Sequence, residues 1–316
     1  FLNEHMQRNF KDYFTIALKG VAMGAADTVP GVSGGTIAFI SGIYEELITT
    51  IGNVDISLFK TWKSQGFKAF WNQLNGGFIV SLLLGILFSV FTFMRLANYL
   101  LKEHPVLIWS FFFGLVVASI WFVAKQIDKW KISTFIAAII GAAVAYYITS
   151  LPPAASSDSY IYLLICGAVA VCAMILPGIS GAFILVLMGA YRNITQAVHD
   201  FDFKKIALVG LGAIVGLLTF SKILKWLFAH YRNITLAVLT GFITGSLNKI
   251  WPWKKVLEST QIEEKVIVLK DKSVLPSNFE GDAQLLFAIL LMLAGFFLII
   301  ILEKLAEQKP DEDAAN

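Results

Sequence analysis

The sequence Pro30-Gly31-Val32-Ser33-Gly34-Gly35 returns later in the chain as Pro177-Gly178-Ile179-Ser180-Gly181-Ala182, and each copy interrupts an apolar stretch. Proline removes a backbone donor and glycine admits conformations that other residues avoid, so we expect each copy to break a helix. Non-helical backbone at membrane depth is tolerated only where protein or a watery cavity satisfies its polar groups. Matched broken segments in two halves of a membrane protein are typical of a transporter's binding site.

The composition around the two copies is that of a membrane protein. Hydrophobic residues make up 57% of the chain and charged residues only 15%, with a mean hydropathy of +0.71. Soluble domains average roughly 25% charged residues. Runs near the ~20 residues that span a bilayer lie at 78–93, 106–124, 132–148, 206–220 and 285–302. These features predict an all-α polytopic protein, with residues 1–316 forming a single membrane domain.

An internal repeat accompanies the duplicated motif. At an offset of 147, identical residues pair Pro30 with Pro177, Ser33 with Ser180 and Tyr44 with Tyr191. Later the offset becomes 127, as in Gly114 with Gly241, and the change falls in an extra segment, residues 53–76. Residues 10–150 and 158–303 are therefore predicted to be two repeats.

The positions of Lys and Arg predict how the repeats lie in the membrane. Residues 150–160 carry no Lys or Arg and are placed outside, whereas Arg8, Lys11, the 60–68 lysines and the 125–131 lysines are placed inside. Residues 14–51 then enter and leave on one face, and residues 160–198 do so on the other. We expect an inverted repeat, with a hairpin and three transmembrane helices in each half and both termini in the cytoplasm.

Each hairpin is expected to be re-entrant. The arms at 14–29 and 36–51 would be about 24 Å long at 1.5 Å per residue, short of the ~30 Å hydrocarbon core. A new helix would then begin inside the bilayer near Ser33 or Ser180, and its free N–H groups would favour an anion. The predicted anion-binding residues of the two loops are Ser33, Gly34, Gly35, Thr36, Ser180 and Gly181.

Charged residues within or beside these apolar segments are the other candidates, because a buried charge marks a pathway or a partner. Arg192, which aligns with Glu45, would hold the anion, and Asp27, Glu45 or Glu46 would carry a coupling proton or sodium ion. A structural ion pair between Glu45 and Arg192 is the alternative. The aligned residues Arg95 and Lys222 would act as gate cations, or would simply extend toward the membrane interface.

Other functions find little support in the composition. Cys166 and Cys172 have no His or acidic partner nearby in sequence, which argues against a metal site or a disulfide. The net charge of +3 and the absence of a basic run argue against nucleic acid as a partner. We therefore expect no metal and no organic cofactor.

The first motif in its wider context, Gly24-Ala25-Ala26-Asp27-Thr28-Val29-Pro30-Gly31-Val32-Ser33-Gly34-Gly35-Thr36, resembles the signature of the bacterial polyprenyl-phosphate transporter family of the PopT type. The segment from Leu176 to Gly181, followed by Gly189-Ala190-Tyr191-Arg192, is similar to that family's second loop. The resemblance implies a lipid flippase of the bacterial cytoplasmic membrane. Such a protein returns undecaprenyl phosphate, the carrier of cell-wall synthesis, from the outer to the inner leaflet.

Two alternatives remain at the level of the sequence. A transporter of a small soluble anion would use the same kind of site within a watery path. A membrane lipid phosphatase would need a nucleophile with a general acid in range, and none of the four histidines has such partners in sequence. The 249–282 loop, which contains Lys249, Lys254 and Lys255, receives no role from the sequence.

Overall fold

The structure, a computed structural model, describes residues 8–28, 33–157, 159–262 and 265–307. Its helices are α1 (Phe10–Asp27), α2 (Gly34–Ile40), α3 (Tyr44–Gly52), α4 (Ile56–Gln73), α5 (Gly76–Glu103), α6 (Pro105–Lys125), α7 (Ile132–Ser150), α8 (Tyr160–Ile175), α9 (Gly181–Leu187), α10 (Tyr191–His199), α11 (Phe203–Ser246) and α12 (Leu285–Glu307). Short 3-10 helices occupy Leu247–Ile250 and Pro276–Asn278, and strands β1 (Lys254–Ile262) and β2 (Lys265–Ser273) form an antiparallel hairpin.

The fold confirms the prediction of a helical protein with several apolar helices of membrane-spanning length. Within the described residues, four helices are long and apolar enough to cross a bilayer, at 76–103, 105–125, 132–150 and 203–250. Two shorter apolar helices lie at 160–175 and 285–301. Large apolar side chains on α5, α7 and α12 are exposed. A soluble protein rarely exposes apolar surface on this scale, whereas a bilayer would cover it.

The hairpin segments have the same internal construction. A long helix, a helix of 7 residues and a helix of 9 residues follow one another in α1–α3 and again in α8–α10. Gly42 and Gly189, which align, join the two short helices with φ values of +71° and +65°. This left-handed conformation is accessible to glycine at little cost. The same amide-to-carbonyl pattern surrounds both glycines.

In each three-helix segment, the chain leaves the segment close to the start of its first helix. Arg8, just before α1, binds Glu46 on α3. In the second segment, Lys204 at the start of α11 lies 4.1 Å from the ring centroid of Tyr160 at the start of α8.

Long helices of the first half pack against long helices of the second half. A Cβ added at Gly114 on α6 would lie 1.8 Å from the carbonyl oxygen of Met292 on α12. At the aligned position, a Cβ on Gly241 of α11 would lie 2.1 Å from the carbonyl oxygen of Ala138 on α7. Only glycine permits such an approach of two helix backbones. The last helix of each half therefore packs against the middle helix of the other half.

A backbone break separates the first two long helices in each half. His104, between α5 and α6, has φ −134° and ψ 50°. Tyr231, which is aligned with it at the offset of 127, has φ −135° and ψ 43° and interrupts α11. The predicted apolar run at 206–220 therefore lies in the part of α11 that precedes this break.

The halves differ by two insertions. In the first half, α4 folds back at Gly66 (φ 79°, ψ 178°), which brings Gln73 within 3.0 Å of the Ser57 hydroxyl. In the second half, the 249–282 loop contains the β1–β2 hairpin, a departure from the all-α prediction. Trp253 anchors this hairpin, since its indole N–H donates to the carbonyl oxygen of Ala283.

Candidate anion site where the two loops meet

The two duplicated loops contact one another directly. The Ser33 hydroxyl lies 3.2 Å from the carbonyl oxygen of Met174 and 3.3 Å from that of Leu176. In return, the Gly178 amide donates to the Thr36 hydroxyl oxygen at 3.0 Å. The predicted loop residues Pro30, Gly31 and Val32 lie outside the described residues. The structure thus brings Ser33 and Thr36 of the first loop against the second loop.

Gly35 shows how close this contact is. A Cβ added at Gly35 would lie 2.6 Å from the carbonyl oxygen of Ile175 and 3.2 Å from that of Met174. Real Cβ atoms are not found so close to a carbonyl oxygen, so any larger residue would push the two loops apart. Gly35 is therefore a packing residue of the loop contact.

The start of α2, in the first loop, is capped by the protein itself. The Asp27 carboxylate accepts a hydrogen bond from the Gly34 amide at 2.7 Å. The Ser33 hydroxyl oxygen accepts one from the Gly35 amide at 3.1 Å, which makes Ser33 the N-cap of α2. Ser33 and Thr36 are each 1% exposed. A carboxylate at a helix N-terminus is favoured by the helix dipole, so the anion expected in this loop is already present as Asp27.

The start of α9, in the second loop, is uncapped. No described side chain caps this helix, and the Ser180 hydroxyl has no hydrogen-bond partner in the described part of the chain. Met174 stands where the first loop has Asp27, and its Cβ lies 3.3 Å from the position of a Cβ added at Gly181. The amides at the start of α9 and the Ser180 hydroxyl therefore remain available to an external anion.

Glu45 and Glu46 lie at the base of the first hairpin, away from the loop contact. Glu46 accepts two hydrogen bonds from Arg8, at 2.7 and 2.8 Å, and a third from Asn75. Glu45 pairs with Arg232 at 3.1 Å. The alternative of a Glu45–Arg192 ion pair is wrong, because Glu45 lies beside the break in α11 that presents Arg232.

The three predicted cations also lie apart from the loop contact. Arg192 is exposed and has no ion-pair partner among the residues that the structure describes. Arg95 is likewise exposed on α5. Lys222 lies near Asp55, where hydrogen bonds from Ser57 and the charges of Lys222 and Lys225 lower the pKa of the carboxylate.

The structure adds a pair of cations that sequence reasoning missed. The ammonium group of Lys249 lies 4.9 Å from the ring centroid of Phe183, the third residue of α9. Lys249 and Lys254 both contact Asp271 on β2. The lysines of the 249–282 loop were the available signal, but nothing in the sequence places that loop beside α9. Among the described residues, no group of His, Cys, Asp and Glu could hold a metal ion.

Fold and loop contact together define a polytopic helical membrane protein in which two broken helical segments meet. A family model described as VCA0040-like, undecaprenyl phosphate translocase-like, matches residues 23–267, and the chain belongs to this family. The match confirms the resemblance seen in the loop motifs.

Two curated relatives agree with the family assignment. A polyprenyl-phosphate transporter of Vibrio cholerae serotype O1 is 46% identical over 302 residues, which is 94% of this chain and 98% of that protein. A polyprenyl-phosphate transporter of Staphylococcus aureus is 32% identical over 254 residues, which is 74% of this chain and 85% of that protein. Both are named as transporters and not as enzymes. No solved structure matches the chain.

Proposed function

We propose that this protein is a flippase that returns undecaprenyl phosphate from the outer to the inner leaflet of the bacterial cytoplasmic membrane. It would work by alternating access at an anion site between two re-entrant hairpins. The observation that carries the proposal is the contact between the duplicated loops, in which Ser33 reaches Met174 and Gly178 reaches Thr36. The names of the two relatives suggest a polyprenyl phosphate as substrate, and the family description suggests the undecaprenyl chain. The loop contact is where we expect the phosphate to be held.

The inverted arrangement is supported by where the hairpin bases lie. The base of the first hairpin is close to the start of α7, because Arg232 contacts both Glu45 and the Gln126 carbonyl oxygen. The base of the second is close to the end of α7, because Asn193 on α10 contacts Ser156. The 19 residues of α7 would separate these bases by about 28 Å. Two hairpins with bases at opposite ends and tips in contact would enter from opposite faces.

The second loop is the side on which the phosphate would bind. Its Ser180 hydroxyl and the amides of Gly181 and the next residues have no capping side chain among those described. Beside them, Met174 is 44% exposed and apolar. A lipid phosphate needs donors for its head and an apolar lateral route for its chain, and this edge of α8 offers both. A soluble anion would have no use for the apolar route.

Coupling is assigned in this proposal to Asp27. Its carboxylate contacts the first turn of α2 within the loop contact, whereas Glu45 and Glu46 are engaged in ion pairs at the hairpin base. A proton or sodium ion at Asp27 would cancel the charge that caps α2 and so weaken that helix start. Binding of the coupling ion would then be linked to the geometry of the loop contact.

The test uses the full chain in proteoliposomes with a fluorescent short-chain polyprenyl phosphate in the lipid. Quencher added outside reports how much probe has moved between leaflets. We expect movement with the intact protein and a several-fold slower rate with Ser180→Ala, while Ser64→Ala, an exposed serine on α4, serves as the matched control. Equal rates with intact and empty vesicles would reject the proposal.

Two further readings of the same vesicles separate the alternatives. Release of inorganic phosphate from the probe would identify a lipid phosphatase. Uptake of inorganic phosphate without movement of the lipid would identify a transporter of soluble anions. Arg192→Ala tests the predicted role of that arginine, since an unchanged rate would remove it from the binding site.

A further inference from the structure

Two lysines share one carboxylate beside the second loop. The ammonium group of Lys249 lies 3.3 Å from Asp271 Oδ2, and that of Lys254 lies 3.1 Å from the same oxygen atom. Lys254 also donates to the carbonyl oxygen of Lys249 at 2.7 Å. The three side chains are only 17–20% exposed. They form a compact cluster in which the two cations are held close together.

The cluster has more positive than negative charge. Asp271 compensates one ammonium group, and the described residues supply no further carboxylate that pairs with the second. Burying an uncompensated charge costs free energy. Burial lowers the pKa of Lys254 to about 8, even though Asp271 opposes the shift. The pKa of Asp271 is also below its usual value, because the charges of the two lysines outweigh the effect of burial. A second anion would remove this imbalance.

The cluster adjoins both the second loop and a cleft. The 3-10 helix that contains Lys249 follows Ser246, whose hydroxyl lies 2.7 Å from the position of a Cβ added at Gly178. The cleft beside the cluster has a volume of about 330 Å³. It is lined by Phe113, Leu247, Asn248, Trp251 and Ser273. Ser273 and Asp271 are two residues apart on β2, so their side chains point to the same face of the strand.

We propose that Lys249 and Lys254 form a binding site for a phosphate monoester at the entrance to the second loop. The phosphate would be the second anion of the cluster, held by two ammonium groups that a single aspartate cannot neutralise. Phe113, Trp251 and Phe183 would provide apolar surface for a chain attached to that phosphate. The identity of the ligand as a lipid rests on the proposed function, while the chemistry of the site would suit free phosphate as well.

Opposite changes in affinity are the signature of this site. The full chain in detergent is titrated by calorimetry with farnesyl phosphate and, separately, with inorganic phosphate. Lys249→Gln leaves a one-to-one pair of Lys254 with Asp271, and we expect affinity to fall at least ten-fold. Asp271→Asn removes the competing carboxylate, and we expect affinity to rise. A purely structural cluster would not move affinity in opposite directions.

Three matched variants complete the experiment. Lys255→Gln removes a neighbouring lysine that pairs with Glu280 outside the cluster, and we expect no change. Lys249→Arg keeps the charge and should retain binding. For the intact chain, affinity should fall between pH 7 and pH 9 as Lys254 loses its proton, whereas Lys254→Arg should remove most of this fall. Unfolding temperatures of all variants show whether each has folded.

The outcomes separate this proposal from the flippase. Unchanged affinity in folded Lys249→Gln would overturn the site, even if the intact chain moves lipid between leaflets. If Lys249→Gln does not fold, unchanged or weaker binding by Asp271→Asn would overturn it instead. Binding of inorganic phosphate that depends on Lys249, without any movement of the lipid probe, would uphold the site and reject the flippase. Preference for farnesyl phosphate over inorganic phosphate would identify the lipid as the source of the anion.

Discussion

The first and second loops share a motif but differ in what satisfies their backbone. In the first loop, Asp27 and Ser33 accept hydrogen bonds from the first amides of α2. In the second loop, Met174 replaces Asp27, and Ser180 makes no such bond among the described residues. One helix start therefore carries a built-in anion and the other does not. The two copies of the motif therefore differ in how the helix that follows each of them is capped.

The difference predicts separate roles for the two loops. A helix start that is already capped adds rigidity and gains little from an external anion, since its donors are used. The start of α9 is uncapped and lies beside Lys249. A phosphate bound there would interact favourably with the free amides of the helix and with the ammonium group. Mutations that exchange or remove these features test the assignment directly.

The largest effect is expected for Gly35→Ala, which separates the loops. The new Cβ would lie 2.6 Å from the Ile175 carbonyl oxygen, and overpacking of this kind costs about 1–3 kcal/mol. We expect a lower unfolding temperature and loss of lipid movement in proteoliposomes. Gly210→Ala is the control, because no atom lies within 4 Å of its added Cβ. Normal transport by Gly35→Ala would show that the contact is dispensable.

Met174→Asp should make the second loop resemble the first. The new carboxylate would lie beside Gly181, as Asp27 lies beside Gly34, and would occupy the helix start that is otherwise free. We expect binding of farnesyl phosphate, measured by calorimetry, to fall at least ten-fold. Met174→Leu should bind normally. Equal affinities for the two variants would mean that the phosphate does not use the start of α9.

Serine-to-alanine changes should separate stability from binding. Ser33→Ala removes an N-cap and the contact to α8, at a cost of about 1 kcal/mol. Ser180→Ala removes a hydroxyl that has no partner in the described chain, so its unfolding temperature should stay unchanged while affinity for farnesyl phosphate falls. Thermal unfolding and calorimetry on both variants measure the contrast. If Ser33→Ala instead reduced binding and Ser180→Ala reduced stability, the proposed roles of the two loops would be reversed.

The smallest effect is expected for Glu45→Gln at the base of the first hairpin, beside a larger effect for Glu46→Gln. Glu46→Gln disrupts a two-bond contact with Arg8 that is partly shielded from solvent, and should cost about 1–2 kcal/mol. Glu45→Gln breaks an ion pair whose side chains are 43% and 49% exposed, and should cost less than about 1 kcal/mol. Chemical unfolding of each variant checks the order. Equal losses would indicate that both glutamates are held in the same way.

Much of the architecture was accessible from the sequence because it depends on local pattern. The helix breaks at the two loops follow from Pro and Gly, and the long apolar helices follow from hydropathy. The alignment at the offset of 127 also placed Tyr231 opposite His104, where the same backbone break occurs. Each of these features depends on residues that lie close together in the sequence.

The partners of the charged residues could not be predicted from the sequence, because they depend on contacts between distant parts of the chain. The Asp27 carboxylate contacts the Gly34 amide, and Glu45 contacts Arg232, which lies 187 residues away in the sequence. Alignment suggested Arg192 as the partner of Glu45, but aligned residues of two repeats occupy equivalent places and need not touch. The cluster of Lys249, Lys254 and Asp271 depends on how a β-hairpin rests on the helices, which no local pattern specifies.

The packing of long helices of one half against those of the other determines whether the two halves can separate. Because Gly114 lies against Met292 and Gly241 against Ala138, each half completes the helix bundle of the other. Cleavage of the 151–157 segment would leave both fragments bound together, and neither fragment would fold alone. The two halves also cannot move apart as rigid bodies without breaking these contacts between helix backbones. In the proposed transport cycle, the short broken helices would therefore be the parts that move.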